Sequence, residues 1–249
     1  MTYNYSDISL MEFPGEVSLV LYSGGCNFYC PYCFNKDLYH KKPLSFKQMK
    51  DAIDEHRDFI TAVVFTGGEP LMNKYLYKAI QYSKNSGLKV KVNTNAFQSK
   101  DVKNVKHSSW VDYLHIALKD PNYCICQKAV NYAWWLHGDI LEYSFVYSPT
   151  LMPEPLLFRW ANYVNDMISD DAWCRWSRPN IFTISQIQTG NCIDPQYNEC
   201  RIPSREELRF ATYLFQDIPK DKIMIETKEF GKEEVKYGIH RTNHERYEM

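Results

Sequence analysis

The 249-residue sequence lacks the features that would direct it to a membrane or a secretory route. No apolar run approaches the roughly 18 residues that mark a membrane-spanning helix. Residues 1–20 lack the basic, then apolar, then small-residue order of a secretory leader. A cytoplasmic location with no membrane partner is therefore expected. An excess of one charge is missing too. Lys and Arg number 29 against 30 Asp and Glu, for a net charge of −1, which gives no electrostatic case for nucleic acid or an anionic lipid surface. Eight cysteines are too few for a disulfide scaffold in a chain this long. There is no internal repeat, low-complexity stretch or convincing linker, so a single domain over residues 1–249 is expected, with about 230–249 a loose charged tail. What is present, 45% hydrophobic and 24% charged residues, is ordinary globular composition.

Strands and helices alternate along the chain. Short β-branched and apolar runs at 17–22, 62–66, 88–93, 113–118, 141–147 and 181–188 read as strands, with 223–227 a further candidate. Ser45 with Gln48, and Ser204 with Glu207, are capping boxes opening helices to about 57 and 215. Asn73 is placed to cap a helix ending near Ser86, with Gly87 after it. Helices are also expected over 126–136 and 155–168, the second opening with Pro155 in a tolerated first-turn position, and more weakly over 99–106. Strands spaced by helices imply parallel βαβ units. About six such units are too few for a complete barrel. The expected fold class is α/β, a partial (β/α)6-type TIM barrel with a mainly parallel sheet.

Cys26, Cys30 and Cys33 give C-x3-C-x2-C in the loop after the first strand. Three thiolates on one loop can converge on a soft metal centre. An iron–sulfur cube takes four cysteines, and no fourth lies near in sequence, which leaves one corner open for chemistry. A three-cysteine zinc site with a distant fourth ligand, or coincidence, is the bland alternative. Gly67-Gly68-Glu69-Pro70 directly follows the second strand. Its glycines allow close main-chain approach to a ligand, and Glu69 supplies an acceptor or a helix-start charge. Read alone it is a plain strand-to-helix turn.

Together these motifs resemble the radical SAM superfamily, with the aromatic Tyr32 just before the last cysteine. The resemblance implies a 4Fe–4S cluster on Cys26, Cys30 and Cys33 whose fourth iron is chelated by S-adenosylmethionine (SAM). One electron from the cluster then cleaves SAM to methionine and a 5′-deoxyadenosyl radical, which abstracts a hydrogen atom. It implies that Gly67, Gly68, Glu69 and Pro70 hold the SAM ammonium. Asn93-Thr94-Asn95-Ala96 resembles a Thr-Asn-Gly segment of the SAM site, with Ala96 where glycine is usual, and this makes Asn95 a candidate. Lys119 resembles a lysine that meets the SAM carboxylate in glycyl-radical-enzyme activases. Tyr32 is expected beside the adenine. Gln188, with Gln186 and Gly190, stands at a strand end where ligands gather.

Residues 8–15, 112–121 and 191–208 further resemble activating proteins of anaerobic ribonucleotide reductase. This implies a glycyl radical enzyme as partner and a reductant such as flavodoxin or ferredoxin. Relatives carry acidic residues where Asn93 and Ala117 stand, and the resemblance implies that these hold a monovalent cation; here both charges are absent. Radical modification of a peptide or small metabolite is the second reading, and a non-catalytic metal-binding or electron-transfer module the third. Cys124, Cys126, Cys174, Cys192 and Cys200 are either small buried hydrophobes or ligands of an auxiliary cluster. His240 and His244 read as part of a solvated tail.

Overall fold

A computed structural model of the chain describes residues 6–97, 111–119, 139–169, 180–188, 192, 194–216, 218 and 220–235. The expected helices over 99–106 and 126–136, together with Cys124, Cys126, Cys174, Gly190, His240 and His244, lie outside them.

Among the described residues nine strands form one sheet in chain order: β1 (Ser6–Ser9), β2 (Ser18–Ser23), β3 (Ala62–Gly67), β4 (Lys89–Thr94), β5 (Tyr113–Ala117), β6 (Ile140–Tyr147), β7 (Ile181–Gln186), β8 (Ile223–Thr227) and β9 (Gly231–Glu234). The pairings from β2 to β8 are all parallel. The edge strands β1 and β9 are antiparallel to their neighbours. The parallel α/β core is as the sequence led us to expect, with the seventh parallel strand present. The edge strands were not foreseen, and β9 lies in the stretch expected to be loose. Both are short, and β9 carries Lys232, Glu233 and Glu234, the kind of charge that guards a sheet edge against further pairing.

Among the described residues five helices accompany the sheet: α1 (Lys36–Tyr39), α2 (Phe46–His56), α3 (Leu76–Asn85), α4 (Glu154–Ser169) and α5 (Arg205–Thr212). Both capping boxes form as expected, each with its reciprocal pair of hydrogen bonds. Asn73 does not cap α3 itself. Its Oδ1 accepts from Tyr75 N at 2.9 Å and its Nδ2 donates to Leu44 O at 2.9 Å, so it sets the turn before the helix. The helices bury Met49, Ile53, Ile80, Leu157, Trp160 and Leu208 against one face of the sheet, in the main core.

The other face holds a small cluster of Phe13, Val20, Ala62, Val64 and Tyr113 and a set of polar groups. Lys232 on β9 reaches Glu142 on β6 at 2.5 Å. A Cβ added to Gly231 on β9 would lie 2.8 Å from Met11 Cε, in the loop after β1. In a flat nine-stranded sheet those edges would stand about 38 Å apart. The sheet therefore curls into a partial barrel whose edges approach. Glu12 and Phe13 reach into the curl: Phe13 packs edge-on to Tyr113 at 5.6 Å, and Lys91 Nζ donates to Glu12 O at 2.6 Å. Among the described residues no helix is long and apolar enough to cross a membrane.

Candidate active site

The parallel strands deliver their following loops to one end of the barrel, and the expected site residues gather there. β2 ends at Ser23, and Gly24 and Gly25 lead into the cysteine loop. β3 ends at Gly67, and the turn through Gly68 and Glu69 opens a short 3-10 helix, Pro70–Met72. The two glycine pairs interlock. Gly68 N donates to Ser23 O and Glu69 N to Gly25 O, each at 2.8 Å. A Cβ on Gly67 would lie 2.6 Å from Ser23 O, and one on Gly68 would lie 2.7 Å from the carbonyl carbon of Gly25. Gly67 also has a φ of 114°, a region that side chains rarely adopt. These glycines bring two main chains together, binding the cysteine loop to the Glu69 turn.

Glu69 is 2% exposed. Its Oε1 accepts from Leu71 N at 2.9 Å and from Thr94 Oγ1 at 2.6 Å, and its Oε2 from Asn95 N at 2.8 Å. The carboxylate thus acts as both the acceptor and the helix-start charge that the sequence suggested, and it brackets the ends of β3 and β4. A carboxylate offers about four acceptor positions, so one remains on Oε2. Burial pushes the Glu69 carboxyl above its ordinary range, against the opposing pull of its three donors and the charge of Lys119. Among the described residues it has no ion-pair partner. A buried carboxylate with no direct ion pair among the described residues and one open acceptor position favours a cationic ligand.

Asn95 Nδ2 donates to Asn27 Oδ1 at 2.8 Å, and Asn27 in turn donates to Phe97 O. The Phe28 and Phe97 rings stack at 5.0 Å. The cysteine loop is thereby fastened to the end of β4. Ala96 takes a φ of 49°, so the turn keeps a glycine-like conformation despite its methyl group. The Tyr32 hydroxyl donates to Lys119 O at 2.7 Å, fastening the same loop to the end of β5. The charge of Lys119 acts on both Cys26 and Glu69. Pro70 is buried at the start of the 3-10 helix.

Gln188 stands apart. It is exposed two residues beyond β7, and its carbonyl accepts from Cys192 Sγ at 3.5 Å. Among the described residues no contact joins it to Glu69, Asn95 or Lys119. Gln186 is occupied by Pro203 O and Lys228 N, at 2.8 and 3.0 Å.

None of Cys26, Cys30, Cys33, Cys192 and Cys200 is in a disulfide. Burial pushes the Cys26 thiol up. Among the described residues no three Cys, His, Asp or Glu side chains stand close enough to share one metal ion. A single zinc holds each sulfur at about 2.3 Å, whereas the corners of a cube are set further apart, so three separated thiols on one loop suit the cube better. Cys192 is buried behind this loop, near enough for Cys33 to influence its titration. Asp194 N donates to Pro31 O at 3.0 Å there.

Residues 20–136 match the family model of the radical SAM superfamily. That span, just under half of the chain, is similar to a radical SAM domain. Radical SAM proteins use a 4Fe–4S cluster and SAM. A candidate glycyl-radical enzyme activating enzyme of Methanocaldococcus jannaschii is 32% identical over 116 residues, 45% of this chain and 48% of that protein. The 7-carboxy-7-deazaguanine synthase of Hyperthermus butylicus is 32% identical over 87 residues, 33% of this chain and 36% of that protein. The chain spans about half the length of the first of these relatives. Among solved structures, Streptococcus suis SuiB bound to its precursor peptide SuiA superposes with a TM-score of 0.60 at 15% identity, over 83% of this chain and 48% of that one. SuiB bound to SAM gives 0.56 at 14% identity, over 84% and 57%. These likenesses speak to the fold.

Below the mouth, the barrel interior carries a polar chain of which the sequence marked only Asn93. Ser144 Oγ lies 2.6 Å from His115 Nε2, and His115 Nδ1 lies 3.2 Å from Asn93 Oδ1. Asn93 Nδ2 donates to Glu12 Oε2 at 3.3 Å. Because the Asn93 amide donates onward, its oxygen accepts from His115 Nδ1–H, and Nε2 accepts from the Ser144 hydroxyl. Burial lowers the His115 pKa from 6.5 to about 3; Glu142 opposes the shift, while Lys91, Lys232 and Lys119 reinforce it. The imidazole is therefore neutral at physiological pH. Glu142 accepts from Tyr113 at 2.7 Å, Thr183 at 2.5 Å and Lys232 at 2.5 Å. Burial alone would raise its carboxyl, but Lys232 and Lys91 hold it well below the carboxylate range. With His115 neutral, the lysines are the charges responsible.

Proposed function

We propose that this chain is a radical SAM enzyme of the activating type. In this reading Cys26, Cys30 and Cys33 hold the 4Fe–4S cluster. Glu69 and the main chain at Gly67 and Gly68 receive the ammonium of SAM, Lys119 its carboxylate, and Asn95 and Tyr32 complete the wall. A reduced cluster held there would supply the electron for cleaving SAM to methionine and a hydrogen-abstracting adenosyl radical, while these residues would hold and orient the two groups. The observation that carries the reading is Glu69: a buried carboxylate, free of any ion pair among the described residues, beside the cysteine loop.

The protein's own contribution is placement and exclusion. Glu69 orients the ends of β3 and β4 while keeping one acceptor position for a cation. Its burial strengthens attraction for an ammonium relative to water. Lys119 offers a compact cation suited to a carboxylate. Tyr32 keeps the cysteine loop over the end of β5, and Asn27 keeps it over the end of β4. Phe13 packs on the inner face of the sheet with Val20, Ala62, Val64 and Tyr113. The likeness to candidate activating enzymes supports a glycyl radical enzyme as that partner, with the hydrogen drawn from a backbone glycine. A peptide or small metabolite is the second reading, favoured by the neutral Asn93 and Ala117 in place of acidic residues.

The test is anaerobic reconstitution with iron and sulfide, reduction, and addition of SAM. About four irons per chain and formation of 5′-deoxyadenosine are expected. Absence of 5′-deoxyadenosine, with cluster spectra indifferent to SAM, defeats the enzyme reading. A glycine radical signal on a co-incubated partner separates the activase from the metabolite enzyme.

A further inference from the structure

Asn93 stands on the inner face of β4, one layer below the cysteine loop. Side chains alternate along a strand, so Asn93 and Asn95 share a face about 7 Å apart. Asn95 Nδ2 lies 4.0 Å from Cys26 Sγ. His115 is the register partner of Asn93 on β5, and the next residue on its face is the half-buried Ala117. β5 therefore puts nothing larger than a methyl group between His115 and Lys119.

The Asn93 carboxamide is held from both sides. Its Oδ1 accepts from His115 Nδ1 at 3.2 Å, and its Nδ2 donates to Glu12 Oε2 at 3.3 Å. His115 is itself fixed by Ser144 Oγ at 2.6 Å. Glu12 is fixed through its main chain, where N donates to Ser9 Oγ at 3.1 Å and O accepts from Lys91 Nζ at 2.6 Å. A carboxamide has two donor hydrogens and two acceptor positions. Among the described residues one of each remains on Asn93, side by side on a half-buried group. A cation placed there would leave the N–H unmet. An anion would leave the oxygen unmet and would face the Glu12 carboxylate. A donor and an acceptor presented together satisfy both. In an extended peptide the N–H and C=O that flank one α-carbon point to the same side and offer that pair.

We propose that Asn93 orients the substrate, its carboxamide taking the N–H and C=O on either side of a backbone glycine α-carbon, with His115 and Glu12 as its positioning residues. The proposal rests on the reading above, in which a hydrogen is drawn from such a carbon. Two hydrogen bonds to the flanking groups fix that carbon's orientation one strand layer below the cysteine loop. A lactam ring carries the same donor–acceptor edge, and the test separates the two sources.

The probes are a short blocked peptide with one central glycine, its depsipeptide analogue with an ester oxygen in place of the glycine N–H, and uracil as the lactam. Equilibrium binding to the full chain is measured by NMR without SAM. The unaltered chain is expected to hold the peptide about tenfold more tightly than the depsipeptide, and more tightly than uracil. Asn93→Ala is expected to bring the two peptide affinities together, a change that lost packing alone does not produce. Glu12→Ala should narrow the difference, and Glu12→Gln, which keeps an acceptor for Asn93, should restore it. Melting midpoints check that each variant folds. No peptide binding, equal binding of peptide and depsipeptide by the unaltered chain, a difference that survives in Asn93→Ala, or tighter binding of uracil overturns the proposal. Failure of the iron-loaded chain to form 5′-deoxyadenosine defeats the enzyme reading instead, and the affinities measured without SAM still decide the role of Asn93.

Discussion

Replacing Gly68 with alanine tests the interlocked glycines directly. The new methyl carbon would lie 2.7 Å from the Gly25 carbonyl carbon, where carbon atoms settle at about 3.5–4.0 Å. The obstacle is backbone, so no side chain can rotate away. Overpacking of this kind costs about 1–3 kcal/mol. The shift also strains two hydrogen bonds, Gly68 N to Ser23 O and Glu69 N to Gly25 O, worth about 0.5–1.5 kcal/mol each. A loss of about 2–6 kcal/mol follows, which for a chain of this size lowers Tm by at least about 4 °C. Should the turn yield locally instead, the loss appears as reduced iron loading. Gly87→Ala is the control: it has a φ of 79° and nothing within 4 Å, so it carries only the conformational cost of about 1 kcal/mol. Scanning calorimetry and iron analysis check both. A Gly68→Ala chain that melts within 2 °C of the original and loads iron normally refutes the reasoning.

His115→Gln should flatten the acid limb of stability. The folded pKa is depressed, so the unfolded chain binds more protons between pH 6.5 and about 3. Stability contributed above pH 6.5 is then lost as pH falls through that window, by up to about 5 kcal/mol. Parallel urea midpoints for both chains over this range would count against it. Tyr32→Phe removes the bond to Lys119 O and should cost about 1 kcal/mol in thermal unfolding while weakening SAM binding by calorimetry; unchanged affinity would mean that loop position does not matter to the ligand. Cys192→Ser should retain the cluster spectrum, whereas its loss would make Cys192 the fourth ligand.

The parallel strands were legible because each is a buried β-branched run, as in Ala62–Gly67. The capping boxes were legible because Ser45 and Ser204 signal within four residues. The edge strands were not, since SDIS and GKEE carry no apolar pattern and form only through pairing with β2 and β8. Cys26, Cys30, Cys33 and Glu69 stood out by spacing, and Glu69 proved central. Asn27 and His115 did not stand out: Asn27 works through Asn95 and Phe97, some 70 residues away, and His115 through Ser144 and Asn93 on neighbouring strands. Such partners are set by sheet register, which a single sequence does not display. Gln188 shows the converse, a polar strand-end residue placed by position that sits apart from the other candidates.

The cysteine loop is pinned at four places: by Gly24 and Gly25 beneath it, by Asn27 toward β4, by Tyr32 toward β5 and at Pro31 by Asp194 N. A small zinc domain, by contrast, folds only as its metal arrives. Here the ties run to the strand ends of the barrel, so the path of the loop is a property of the sheet as well as of the group its thiols hold.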